Sequence, residues 1–214
     1  FRTHIKPESR GQSGRWMSEY ADAMIDHDKN VGTVLDKIDD LGIGDNTFVM
    51  YSTDNGPHMN SWPDAAMTPF RSEKNSNWEG AYRVPAMVRF PGKIKPGSIS
   101  TEIISHLDWL PTILAMAGDS QITEKLLKGH KAIGREYKVH LDGFNFLPYL
   151  TGQEEKGPRE SFIYCNDDQQ LTGLRFDNWK LVFLEQRAPG TLAIWSEPFR
   201  ARSTISYRIW YCME

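Results

Sequence analysis

The sequence predicts an α/β chain that closes in a smaller antiparallel sheet, and three observations carry this. Apolar residues recur at helical spacing over residues 16–41, and a short loop leads from there into the continuous run Thr47-Phe-Val-Met-Tyr51. That run ends in the polar string Ser52-Thr-Asp-Asn-Gly-Pro57, the place where open α/β sheets collect ligands. From residue 160 the pattern turns to alternation, with Asp177-Asn178 at its centre. Residues 1–155 are therefore expected to form an α/β portion, and residues 156–214 a small antiparallel β portion with an atypical tail from about 200.

The elements follow in order. Residues 1–15 are polar and rich in Gly and Ser, and read as a loop. Met17, Tyr20, Met24, Val31, Val34, Leu35, Ile38 and Leu41 step by threes and fours, which makes one apolar stripe on a helix. Gly42 sits where a left-handed helix cap belongs. The run at 47–51 has no polar face, so it reads as a strand buried on both sides, the habit of a parallel sheet. Residues 58–83 are polar yet carry Trp62, Arg71, Lys74, Trp78 and Glu79. A stretch that long is more than a connection, and its aromatic residues argue for order. A second apolar run at 84–90 closes in Pro91-Gly92, and 92–97 is a turn. Residues 102–104 read as a short strand, and Asp108 as the N-cap of a helix over 109–117, with Pro111 in its first turn and Gly118 at its end. The charged residues 120–140 read as a surface excursion. Asp142-Gly143 is a turn before a short apolar patch reaching Leu150. A strand at 162–164 and a hairpin over 174–184, turning at Asp177-Asn178, complete the list.

Composition narrows the function. With 214 residues and 39% hydrophobic content, the chain builds one sizeable core rather than two full domains. A net charge of −3 leaves no electrostatic footprint for nucleic acid. Apolar runs such as Ala86-Met-Val88 are far too short to span a bilayer. Neither nucleic acid nor membrane is an expected partner. Cys165 and Cys212 form no CxxC pair and do not indicate a redox compartment. The opening Phe1-Arg-Thr-His4 carries no Met and no secretory signal, so an internal start within a longer protein is expected.

Several residues have the chemistry of a site. Asp54 and Asn55 offer a carboxylate and an amide oxygen, ligands that suit Ca²⁺ or Mg²⁺, and Gly56 lets the backbone turn past an ion. The same string also makes an ordinary turn. Lys74, with Arg71 nearby, places fixed positive charge where a tetrahedral oxyanion would sit; the alternative is a solvated lysine. His4 titrates near neutrality and suits a hydrogen-bond donor or general acid, or else an exposed histidine. His58, just past Asn55, is placed to line a substrate pocket. His27, within Asp26-His-Asp28, reads as a surface or capping group, and His106 as structural. No Cys/His cluster has zinc spacing, and no G-x-S-x-G elbow, P-loop or G-x-G-x-x-G is present.

Taken together, these segments resemble the sulfatase family, in particular bacterial arylsulfatases of the alkaline-phosphatase-like fold. The resemblance rests on Asp28-Lys-Asn-Val-Gly32 with Leu41-Gly42, on Ser52-Thr-Asp-Asn-Gly-Pro57, and on Phe70-Arg-Ser-Glu-Lys-Asn-Ser-Asn-Trp-Glu-Gly-Ala-Tyr-Arg-Val-Pro85. It continues in Pro91-Gly-Lys-Ile-Lys-Pro-Gly97, Ser105-His-Leu-Asp-Trp-Leu-Pro-Thr112 and Leu141-Asp-Gly143. It implies part of an alkaline-phosphatase-like α/β sandwich. It implies that Asp54 and Asn55 are the second pair of ligands to a divalent cation, usually Ca²⁺ with Mg²⁺ possible. It implies that Lys74 binds the sulfate and protonates the leaving oxygen, and that His4 contacts the sulfate ester. The implied substrate is a small-molecule or carbohydrate sulfate ester, and the implied setting is periplasmic or secreted.

The departures from the family pattern set further expectations. Sulfatases mature a Cys or Ser in a C-x-P-S-R or S-x-P-S-R context to formylglycine, and neither Cys165, Cys212 nor any Ser here has that context. The first Asp-Asp ligand pair is absent as well. The nucleophile is thus expected outside this chain, the isolated chain is expected to be inactive, and its N-terminal half or another chain is expected to complete the sheet. Residues 200–214 do not align to the pattern and are expected to be a truncated or frame-shifted tail. The rival readings are a phosphoester or phosphonate hydrolase of the same superfamily, which shares the metal and lysine positions, and a non-catalytic fragment.

Overall fold

The apolar stripe of the first segment folds as α1, Glu19–Asp40, in a computed structural model that describes residues 5–14, 19–58, 68–166, 168–186 and, as backbone, 204–212. Trp16 and Met17 lie outside the described residues. The end of α1 is set by Gly42, at φ +66°. The Gly42 N–H donates to the Asp39 carbonyl at 2.9 Å, and the Ile43 N–H to the Ile38 carbonyl at 3.3 Å. That pair of bonds satisfies carbonyls which the last turn would leave open. The start of α1 buries two carboxylates one turn apart, Asp22 and Asp26. They hold the loop before the helix. Asp26 accepts from the Lys6 N–H at 2.6 Å and from the Ser9 hydroxyl, while Asp22 accepts from the Gly11 N–H at 2.6 Å and the Ser13 N–H at 3.0 Å.

The next run gives β1, Val49–Ser52. Its partner is β2, Ala86–Arg89, and the pair is antiparallel, from Val49 opposite Arg89 to Ser52 opposite Ala86. Phe48 and Phe90 extend the pair with an edge-to-face contact at 5.9 Å. The expected parallel pairing and two-sided burial of 47–51 are corrected here: the described residues leave Met50 and Met87 exposed. A two-sided apolar run shows that a strand suits burial, but it does not encode the direction of its partner. A loop of any length can bring the next strand back antiparallel, whereas parallel pairing needs a crossover. Among the described residues between β1 and β2 there is a short helix, α2, Glu79–Tyr82.

After β2 the chain runs to a 3-10 turn, His106–Asp108, that leads directly into α3, Trp109–Met116. Asp108 stands at the N-cap position of α3, as expected from the sequence, but its side chain makes no capping bond to α3. The capping bonds are those of the 3-10 turn before it. Ser105 caps, its Oγ accepting the Leu107 N–H at 3.3 Å, and the Asp108 carboxylate reaches back to the Ser105 N–H at 2.7 Å. This is a capping box, with the acidic residue at its third position. Residues 102–104 form no strand. The charged stretch read as a surface excursion is largely exposed and is ordered as α4, Ile122–Lys128, and a hairpin of β3, His130–Ala132, and β4, Arg135–Tyr137. A short α5, Leu147–Leu150, follows.

The C-terminal antiparallel sheet is present. It comprises β5, Ser161–Cys165, β6, Leu171–Phe176, β7, Trp179–Gln186, and β8, Thr204–Cys212, in that spatial order. The β6–β7 turn is Asp177-Asn178 as expected. Asp177 has φ +50°, the left-handed conformation that two-residue hairpin turns demand. The tail that departs from the family pattern supplies β8, antiparallel to β7 from Trp179 opposite Cys212 to Gln186 opposite Thr204.

Two compact units result. One comprises residues 1–90, 163–174 and 179–214, and the other residues 91–162 and 175–178. The first has Ile5, Trp78, Ala81, Tyr164 and Val182 in its core, and the second has Trp109, Ala115, Ile122 and Phe146. No described helix is long and apolar enough to cross a membrane.

Candidate active site

The site begins where β1 stops. Asp54 is exposed and Asn55 half-buried on the turn that follows. The Thr53 hydroxyl donates to Asp54 Oδ1 at 3.3 Å, and Asn55 Nδ2 donates to the Gly56 carbonyl at 3.1 Å. Asn55 thereby spends its amide nitrogen on the backbone, and that bond leaves untouched its amide oxygen, the atom a hard cation would take.

Three stretches of backbone then pack directly on one another. The Gly56 N–H donates to the Ala81 carbonyl at 2.7 Å, the Gly80 N–H to the Arg71 carbonyl at 2.8 Å, and the Lys74 N–H to the Pro57 carbonyl at 2.9 Å. Glycine is required for this stacking. A Cβ on Gly56 would lie 1.7 Å from the Gly80 carbonyl oxygen, and one on Gly80 would lie 2.0 Å from that of Ser72. The result is that Lys74 is hydrogen-bonded two residues past Asn55. The loop around Lys74 is bent to achieve it, with Ser72 at φ 66° and Asn75 at φ 68°. Left-handed residues other than glycine persist only where surrounding contacts enforce them.

Those contacts come from the C-terminal sheet. Asn77, 1% exposed, donates to the Leu184 carbonyl at 2.8 Å and accepts the Gln186 N–H at 3.0 Å. The Trp78 indole N–H donates to Glu185 Oε1 at 2.8 Å. Glu79 accepts from the Tyr164 hydroxyl at 2.6 Å, from Lys180 Nζ at 3.0 Å and from Arg83 Nε at 3.1 Å. Lys180 also donates to the Asn77 carbonyl at 2.6 Å and lies 3.5 Å over the Tyr164 ring.

The site residues expected from the sequence, His4 apart, have definite places. Asp54, Asn55 and Lys74 are joined by the stacked backbones. His58 is half-buried beside Pro57. Arg71 lies on the same loop, and its guanidinium stacks 3.6 Å over Trp78 and pairs with Glu185 at 3.1 Å. It thus ties the loop to the sheet. His4 lies outside the described residues. His106 is exposed in the 3-10 turn before α3. His27 does more than decorate a surface: its Nε2 meets the Tyr51 hydroxyl at 2.9 Å and links α1 to β1. Sequence reasoning missed Asn77, Lys180 and Glu185. One signal was available for Lys180, which alternates in phase with Val182 on β7, and both are 1% exposed.

The donor chemistry can be tested for a metal. A carboxylate next to an amide oxygen fits a hard cation, but such an ion takes about six to eight oxygens. Among the described residues no group of three or more His, Cys, Asp or Glu gathers. Asp54 and Asn55 fit part of a shell, not a whole one.

The sulfatase family model matches residues 3–119, more than half of the chain. The chain belongs to the sulfatase family. The matched stretch contains His4, Asp54, Asn55, His58, Arg71 and Lys74. Steryl-sulfatase of Mus musculus is 32% identical over 181 residues, covering 81% of this chain and 26% of the mouse protein. Arylsulfatase A of Homo sapiens is 33% identical over 192 residues, covering 86% of this chain and 34% of the human protein. The chain therefore spans about a quarter to a third of these curated relatives. Among solved structures, the PsFucS1 sulfatase from Pseudoalteromonas sp. superposes with a TM-score of 0.73 at 22% identity, over 95% of this chain and 37% of that one. That likeness shows that this chain has an α/β fold of the same kind.

Proposed function

We propose that this chain serves the hydrolysis of sulfate monoesters, supplying part of a metal site and the cation that meets the sulfate. Asp54 and Asn55 would hold Ca²⁺, or Mg²⁺ in its place, together with ligands from outside these 214 residues. When bound, the ion supplies fixed positive charge beside the sulfate oxygens. Lys74 binds the sulfate and gives a proton to the bridging oxygen as it departs, because negative charge grows there as the S–O bond breaks. His4 contacts the ester, His58 lines the pocket, and Arg71 adds positive charge at its rim. The formylglycine nucleophile is supplied from outside this sequence. The observation that supports the reading best is the Lys74 N–H bond to the Pro57 carbonyl, which brings the backbone of Lys74 to the turn that carries Asp54 and Asn55. The relatives are named for steryl and aryl substrates, which supports the sulfate-ester class and leaves its organic part open.

The test is turnover of p-nitrophenyl sulfate by the full-length protein, after chelation and after Ca²⁺ is restored. Ca²⁺ is expected to restore activity. Lys74→Ala and Asp54→Ala are each expected to lower kcat/KM roughly a hundredfold or more, the scale of losing a charge that acts in the transition state. Unchanged turnover in Lys74→Ala would sink the reading. Preference for p-nitrophenyl phosphate over the sulfate would favour the phosphoester rival.

A further inference from the structure

We infer that the buried Glu79–Lys180 pair, together with Asn77, positions Lys74 for catalysis; this rests on the role proposed for Lys74. The sheet has placed an ammonium where an apolar residue would be easier. Lys180 is 1% exposed and shares the inward face of β7 with Val182. A buried ion pair adds little net stability over well-packed apolar groups, but removing one partner is costly because the other charge is stranded. Its partners show where the placement acts. The ammonium bonds to the Asn77 carbonyl and the Glu79 carboxylate, and Asn77 itself bonds to the Leu184 carbonyl and the Gln186 N–H. All of these grip residues 77–79, which run straight into Gly80. Gly80 in turn packs against Gly56 and Ser72 and donates to the Arg71 carbonyl. The segment that carries Lys74 is thus held at one end by the Gly56–Ala81 and Gly80–Arg71 bonds, and behind by charges anchored in β7. Ser72 and Asn75, left-handed on either side of Lys74, would relax if that support were lost. The direction of the Lys74 side chain relative to Asp54 and Asn55 then depends on groups that touch neither substrate nor ion.

Glu79→Gln tests this with least disturbance, since the amide keeps the shape and one acceptor oxygen. Lys180→Met and Lys180→Arg accompany it, and all are measured in the full-length protein on p-nitrophenyl sulfate. Glu79→Gln and Lys180→Met are expected to lower kcat/KM per folded molecule roughly tenfold to a hundredfold, the usual effect of losing a group that orients a catalytic one. Lys180→Arg is expected to recover part of the Lys180→Met loss. In a Lys74→Ala background, Glu79→Gln is expected to cost nothing further in the residual activity, because coupled residues are not additive. Hydrogen exchange at the Lys74 amide is expected to quicken in Glu79→Gln. A loss fully additive with Lys74→Ala, or kcat/KM and Lys74 exchange unchanged in Glu79→Gln, overturns the inference, even if Lys180→Met fails to fold. If Lys74→Ala is inactive while Glu79→Gln is normal, only this inference fails; if Lys74→Ala is active, the proposed function itself fails.

Discussion

Asp108 shows what one residue can do in this protein. Its carboxylate is fully buried and accepts from Arg159 Nε at 2.9 Å, Arg159 Nη2 at 2.6 Å, the Ser105 N–H at 2.7 Å and the Phe144 N–H at 2.8 Å. Arg159 continues to the Asp142 carbonyl at 2.8 Å. Asp108→Ala strands a buried guanidinium and two N–H groups, so a loss of about 3–5 kcal/mol is expected in chemical denaturation. Asp22 and Asp26 make a gentler prediction. The Ser13 hydroxyl, then the Gly11 and Ser13 amides, hold the Asp22 carboxyl below its ordinary range, against the opposing effect of burial. The Ser9 hydroxyl and then the Lys6 amide do the same for Asp26. A carboxyl with a depressed folded pKa stabilises above its unfolded value, about 4, and this is lost as pH falls through the folded value. Thermal melts from about pH 7 down to pH 3 should show an acid limb that flattens in the Asp22→Asn/Asp26→Asn double variant. An unchanged limb would mean that neither carboxylate senses the loop.

The elements owe their placement to a few backbone demands. Gly56 and Gly80 are among the tightest, since the Gly80 carbonyl fills the space where a Gly56 side chain would stand and the Ser72 carbonyl that of a Gly80 side chain. Gly56→Ala is expected to cost about 3 kcal/mol, at the upper end for overpacking, and to remove activity with it; a melt and turnover at normal levels would contradict the stacked arrangement. Gly42 caps α1 in a conformation that side chains disfavour, so Gly42→Ala should lower stability by about 1 kcal/mol. In the sheet, Asp177 occupies a left-handed turn position, and Asp177→Gly should raise the melting temperature slightly. The loop between β1 and β2 differs from all of these. Its residues Asn77, Trp78 and Glu79 are held by the Leu184 carbonyl and by the Glu185 and Tyr164 side chains of the sheet rather than by a repeating backbone pattern.

For the molecule as a whole, the described residues leave large apolar groups in solvent, among them Ile99 and Ile133, both more than nine-tenths exposed, and Met87 at 59%. Single exposed apolar residues are ordinary, but β1 and β2 also expose part of a two-stranded sheet, which is marginal alone in water. The chain expressed by itself is expected to associate in light scattering and to leave p-nitrophenyl sulfate unhydrolysed. A monodisperse, active monomer would refute both the partial metal shell and the external nucleophile.

Local physics made much of this protein legible in its sequence. The stripe of α1, its Gly42 cap, the β1 run and the Asp177-Asn178 turn follow from periodicity and backbone preference, which neighbours in the chain decide among themselves. The family was legible because its pattern lies in short strings, and the proposed site residues Asp54, Asn55 and Lys74 stand in them. The direction of β1–β2 pairing was not, since a strand's own residues do not specify its partner. Nor was Ser105's role as cap ahead of Asp108, or the order within residues 120–140, where surface charge masks short elements. Above all, the support of Lys74 by Asn77, Glu79 and Lys180 is a tertiary decision. It joins residues about a hundred positions apart, and only folding brings such charges out of water and against one another, where geometry determines whether they are satisfied.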